Sequence, residues 1–200
     1  MPRIRAATVA EHHAQQRRAL LDAARDLLAE TAQKPSMGVL GQRTGLARSS
    51  VYQYFASADD LLAALIAEVF PEWARRVITH VDGAPTPPER VWAYVEANLD
   101  LLAGPERAVA RALRTLVEPH VLHRPMKEFH QLLQVPLHQA LLDFGETEPQ
   151  AMAQHIDSLI VHAASHVDDS EPAAADAALA RLRRLLGPYL GLETARPSNQ

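Results

Sequence analysis

Apolar positions along this chain recur at intervals of three and four, the spacing of one face of a helix. Leu20, Ala24, Leu27, Leu28 and Thr31 form the first series, which predicts a helix from about Ala10 to Thr31, closed by Lys34-Pro35. Ser36 is placed to cap a second, short helix carrying Met37 and Leu40, and Gly45 to end it in a left-handed turn. The run Arg48 to Phe55 predicts a third helix with Val51 and Phe55 turned inward. Ser57 then caps a long helix with Asp59 and Asp60 in its first turn, where the dipole favours carboxylates. Its stripe of Leu61, Leu62, Leu65, Ile66, Val69, Phe70, Trp73 and Val77 contains Pro71, which is expected to kink the helix or break it in two.

Residues 82–88, with three prolines and a glycine, read as a linker. Beyond them the pattern predicts further helices around Val91–Leu102, Ala108–Val117, Phe129–Phe144 with a kink at Pro136, and Met152–Val167. An acidic loop at residues 168–172 leads to a last helix through Leu179, Leu182, Leu185, Leu186 and Tyr189. No alternating run predicts a strand. The expectation is an all-α protein of about nine helices, with residues 10–56 as one domain, 57–191 as a helical body, and flexible tails at 1–9 and 192–200.

Composition narrows the picture. The chain of 200 residues has no cysteine, which removes disulfides and thiolate metal sites. No apolar run approaches a membrane span, and the N-terminus lacks the apolar core of a signal peptide, so no membrane association and a cytoplasmic location are expected. The net charge of −4 is unevenly placed: residues 1–58 hold eight Lys/Arg against four Asp/Glu, whereas the remainder is acidic. A basic head on an acidic body suits a polyanionic partner at the head.

Residues 36–55 therefore read as a helix-turn-helix whose second helix is rich in groups that bond to phosphates and base edges. The segment Gly45-Leu46-Ala47-Arg48-Ser49-Ser50-Val51-Tyr52-Gln53-Tyr54-Phe55, followed by Leu61-Leu62, resembles the DNA-binding domain of the TetR family of transcriptional regulators. The resemblance covers about residues 10–62. It implies that Arg48, Ser49, Ser50, Tyr52, Gln53 and Tyr54 face double-stranded operator DNA, with Ser36 and Thr44 as secondary contacts. Arg3 and Arg5 are candidates for a minor-groove arm. There are departures: Ala47 and Ser49 replace residues usual in the family, and Ala58 stands where a lysine normally meets a phosphate at the start of the fourth helix. One backbone contact is expected to be missing there.

The body offers less. Its aromatic and kinked positions suggest an effector pocket formed by Phe70, Trp73, Trp92, Tyr94, Met126, Phe129 and His130. The resemblance implies that the last two helices build a homodimer interface, through Leu159, His162, Ala163, His166, Leu179, Leu182 and Leu186. His162 and His166 are four apart and able in principle to chelate a metal, but their place in that interface is the preferred reading, with no metal and no cofactor expected. Glu-x-x-His pairs of a di-iron bundle, His-Glu-x-x-His and phosphate-binding glycine loops are all absent, so no enzyme is expected. The expected protein is a homodimeric, ligand-responsive repressor. The alternative is a helix-turn-helix regulator whose body binds a protein partner or a metal.

Overall fold

The computed structural model describes residues 3–103, 106–167 and 173–192, with residues 3–8 described through the backbone only. Among these, the chain forms nine α-helices and no strand: α1 Arg3–Thr31, α2 Met37–Thr44, α3 Arg48–Val51, α4 Ala58–Asp82, α5 Pro87–Ala103, α6 Arg107–Leu116, α7 Pro119–Phe144, α8 Pro149–Ser165 and α9 Ala174–Leu190. The acidic loop at 168–172 and the tail from residue 193 lie outside the described residues.

Two compact units result, one of residues 1–69 and 108–125, the other of 70–107 and 126–200. The first unit thus extends beyond the 10–56 segment. Its core is aliphatic, with Leu20, Leu28, Leu40, Val51, Leu61, Leu62 and Leu113 at or near zero exposure. Within it α1 packs on α2, and α2 on α3. The Ser36 hydroxyl accepts the Val39 N–H at 3.2 Å, and Gly45 closes α2 at φ 71°. Gly41 is needed for a different reason. A Cβ there would lie 2.6 Å from the Leu46 carbonyl oxygen, so only glycine lets the turn cross this closely over α2.

In the second unit α5 packs on α8 and α9, which also pack on each other. Thr86 and Glu89 form a reciprocal cap on α5: the Glu89 carboxylate accepts the Thr86 N–H at 3.1 Å, and the Thr86 hydroxyl accepts the Glu89 N–H at 3.5 Å. Pro87 and Pro149 stand in the first turns of α5 and α8, where a missing N–H costs nothing.

Three expectations change. Helix α1 begins at Arg3 and not near Ala10, because no glycine or proline interrupts residues 3–31. The side chains of Arg3 and Arg5 lie outside the described residues. Pro71 does not break α4, which is continuous from Ala58 to Asp82; buried Phe70, Trp73 and Ala74 on either side offset the lost backbone bond. Helix α3 is a single turn and does not run to Phe55. The bonding along this segment is mixed: Gln53 N–H to Ser50 O at 3.1 Å and Tyr54 N–H to Val51 O at 3.0 Å span three residues, and Phe55 N–H to Val51 O at 3.2 Å spans four.

Candidate nucleic-acid interface

The short α3 presents a two-sided segment. Val51 and Phe55 are buried at 0% and 2% exposure, which anchors the segment and leaves Arg48, Ser49, Tyr52 and Gln53 exposed. Tyr52 is 44% exposed, so its ring is not part of the core. The Arg48 guanidinium donates to the Tyr52 hydroxyl at 3.5 Å and lies 6.0 Å from the ring centroid. That bond draws the guanidinium further above its ordinary value. Ser50 and Tyr54 are half-buried, and the Tyr54 ring stacks on His13 of α1 at 4.5 Å. Thr44 is half-buried as well, and its hydroxyl donates to the Leu40 carbonyl at 2.8 Å, which leaves only lone pairs for a partner. Ser36 is exposed with its oxygen already serving the α2 cap.

Three other cations of this unit have partners within it. Arg43 forks onto Glu30, joining α2 to α1, and holds that carboxyl below its ordinary value. Arg17 lies over Phe55 at 5.3 Å. Lys34, read in the sequence only as part of the stop after the first helix, is hydrogen-bonded to Asp59 at the start of α4. A contact across 25 positions leaves no periodic signal. Gly41 has no distinguishing signal either, since Gly38 stands in the same helix without any close approach.

The seven residues expected to line an effector pocket fall in different surroundings. Phe70, Trp73 and Phe129 form an aromatic cluster, with Phe70 5.6 Å from Trp73 and 5.2 Å from Phe129, and all three are buried. The Trp73 indole N–H finds no acceptor among the described residues. His130 is exposed beside Phe129, and Met126 is half-buried. Tyr94 is buried because its hydroxyl has a partner: it donates to Asp157 of α8 at 2.8 Å, and Gln134 of α7 donates to the other carboxylate oxygen at 2.5 Å. Burial lifts the Asp157 carboxyl above its ordinary value, against the opposing pull of Tyr94, His130 and Gln134, and lifts the Tyr94 phenol as well. Tyr94 and Asp157 stand 63 positions apart, so no local pattern announces this polar knot.

Open space lies instead along α4, α5 and α9. A cavity of about 370 Å³ is walled by Trp73, Val77, Leu101 and Leu179 with Arg76, His80 and Glu96, and a wider groove of about 1190 Å³ shares several of these residues and adds Trp92 and Arg183. Arg183 stacks over Trp92 at 4.6 Å, and the Trp92 indole N–H donates to Glu96 at 2.6 Å. Only Trp73 and Trp92 of the expected seven line this space.

On α8 and α9, Leu182 and Leu186 are taken up by the chain's own core, at 2% and 6% exposure. Leu159, Ala163 and Leu179 are half-buried. The large apolar groups left exposed on these two helices are Val161 and Leu185, at 59% and 63%; His162 and His166 are exposed too, their rings 4.5 Å apart. No group of three or more metal-binding side chains occurs among the described residues, and no helix there is long and apolar enough to cross a membrane.

No protein-family model and no curated protein matches the chain. Solved structures do. A TetR/AcrR-family transcriptional regulator from Thermobifida fusca YX-ER1 matches with a TM-score of 0.71 at 18% identity, over 86% of this chain and 96% of its own. SCO4454, a TetR-family transcriptional regulator from Streptomyces coelicolor, gives 0.70 at 21% identity, over 88% and 96%. AibR in complex with isovaleryl coenzyme A and operator DNA gives 0.63 at 16% identity, over 86% and 98%. The all-α architecture of this chain is the fold of the TetR/AcrR-family transcriptional regulators.

Proposed function

We propose that the protein is a DNA-binding transcriptional regulator, a repressor that holds a palindromic operator as a homodimer and releases it when a small molecule binds the helical body. The observation that carries this reading is the face of α3 and its following turn. Arg48, Ser49, Tyr52 and Gln53 stand exposed over a buried Val51–Phe55 anchor, after a left-handed glycine turn at a helix crossing. Arginine suits guanine or phosphate, glutamine suits adenine, and the hydroxyls suit phosphate oxygens.

The dimer reading is supported by Val161 and Leu185, two large apolar side chains left without cover on α8 and α9. Two copies related by a two-fold axis would place their α3 segments in successive major grooves. For the effector, the α4–α5–α9 groove is the best supported site, and the aromatic cluster around Phe129 is core. A neighbour in fold was solved with both an acyl coenzyme A and operator DNA, which makes acyl thioesters the first class to test. An effector with higher affinity for a state whose two heads are misplaced for DNA would draw the population off the operator.

Selection of bound duplexes from a random-sequence pool tests the reading. Enrichment of an inverted repeat supports a dimeric sequence reader. A pool that stays random after repeated rounds overturns it.

A further inference from the structure

The start of α4 is electrostatically awkward for a DNA-binding surface. It carries Ala58, Asp59 and Asp60, no cation of its own, and follows Gln53 and Tyr54 by only a few residues. Asp60 is engaged locally: its carboxylate accepts the Ala56 N–H at 2.9 Å, while its own N–H donates to the Ser57 hydroxyl at 3.1 Å. Asp59 is 74% exposed, and a bare carboxylate there would repel phosphates.

The structure brings a cation to this place from elsewhere in the chain. Lys34, in the connection between α1 and α2, sets its ammonium on Asp59 and remains 41% exposed. Its backbone is well anchored, since the next residue, Pro35, is buried and Ser36 caps α2. An ammonium has three donors and Asp59 takes one, which leaves two for an oxygen acceptor on the solvent side. The arginines Arg43 and Arg17 of the same unit are turned to Glu30 and Phe55.

We propose that Lys34 is a phosphate contact of the DNA-binding surface, held at the start of α4 by Asp59, which acts as its positioning residue. The proposal rests on the DNA-binding reading above. It supplies, from 24 positions upstream of Ala58, the backbone contact that Ala58 itself lacks.

Phosphate contacts are independent of base sequence, so a labelled mixed-sequence duplex serves as probe, titrated with wild type, Lys34→Ala, Lys34→Arg, Asp59→Asn and the Lys34→Ala/Asp59→Asn double variant over a range of salt. Helical circular dichroism of each variant checks the fold. Lys34→Ala is expected to weaken binding severalfold and to reduce the log–log salt slope by about one unit, Lys34→Arg to keep both, and the double variant to keep the reduced slope. An unchanged slope in Lys34→Ala would overturn the proposal. So would full recovery of slope and affinity in the double variant, which would mean that Lys34 only masks Asp59. A wild type that binds no duplex at any salt would instead remove the DNA-binding reading beneath it.

Discussion

The Arg48 guanidinium and the Tyr52 hydroxyl meet at 3.5 Å across one turn of the chain, with the cation 6.0 Å from the ring centroid. The pair restrains a long side chain that would otherwise lose rotamer freedom on meeting DNA. Tyr52→Phe keeps the ring and removes the bond, so a small loss of affinity for a selected duplex is expected. Tyr52→Ala removes both and should cost more, by about 1 kcal/mol at the exposed-site value for a cation–π contact plus its hydroxyl contact. Fluorescence anisotropy with the selected duplex checks the order; equal affinity in both variants would contradict it.

Gly41→Ala tests the helix crossing. The added Cβ meets a backbone oxygen at 2.6 Å, and backbone yields less readily than a side-chain tip. A destabilisation of about 1–3 kcal/mol is expected in urea unfolding, together with weakened DNA binding, because the clash lies between α2 and the turn that aims α3. Gly38→Ala is the control: the only atom near its added Cβ is the Ser36 oxygen, at 4.0 Å, so little change is expected.

Leu185 and Leu182 separate assembly from folding. Leu185 is 63% exposed and Leu182 is 2% exposed on the same helix. Leu185→Asp, alone or with Val161→Asp, is expected to give monomers in sedimentation velocity with the helical signal retained. Leu182→Ala is expected to lower stability by about 2–5 kcal/mol through the cavity it leaves. A Leu185→Asp protein that sediments as wild type would remove this face from the interface.

Asp157 gives a pH signature. Burial raises its carboxyl above the ordinary value in the folded chain, so the folded state holds this proton more tightly than the unfolded one. The stability that follows is present below the unfolded carboxylate value and is lost as pH rises through the folded value. Asp157→Asn removes the titration while its side-chain oxygen still accepts the Tyr94 hydroxyl. The melting temperature of the variant relative to wild type should therefore climb as pH rises from below about 4 toward neutrality. A constant difference across that range would contradict the assignment.

What was legible in the sequence was local chemistry. The Ser36 cap, the left-handed Gly45, the inward Val51 and Phe55 and the Ser57 cap each follow from residues within a turn of one another. Helix existence followed from periodicity, but length did not: α3 lasts one turn, Arg48–Val51, and no glycine or proline within residues 48–55 marks its end. Lys34–Asp59 and Tyr94–Asp157 lie 25 and 63 positions apart and have no sequence signal. The α9 leucines show the same limit. Leu179, Leu182, Leu185 and Leu186 cover more than one helix face, and only the packing of α5 and α8 decides which are covered within the chain.

If the exposed face of residues 48–53 reads DNA, its side chains set the preference between duplexes. The most direct measurement is the affinity of wild type, Arg48→Ala and Gln53→Ala for a duplex selected by the wild-type protein, set against a scrambled duplex at the same salt. Each substitution is predicted to cost about 1–3 kcal/mol on the selected duplex and to narrow the gap to the scrambled one, with helical content and sedimentation unchanged. Undiminished preference for the selected duplex in both variants would contradict the account.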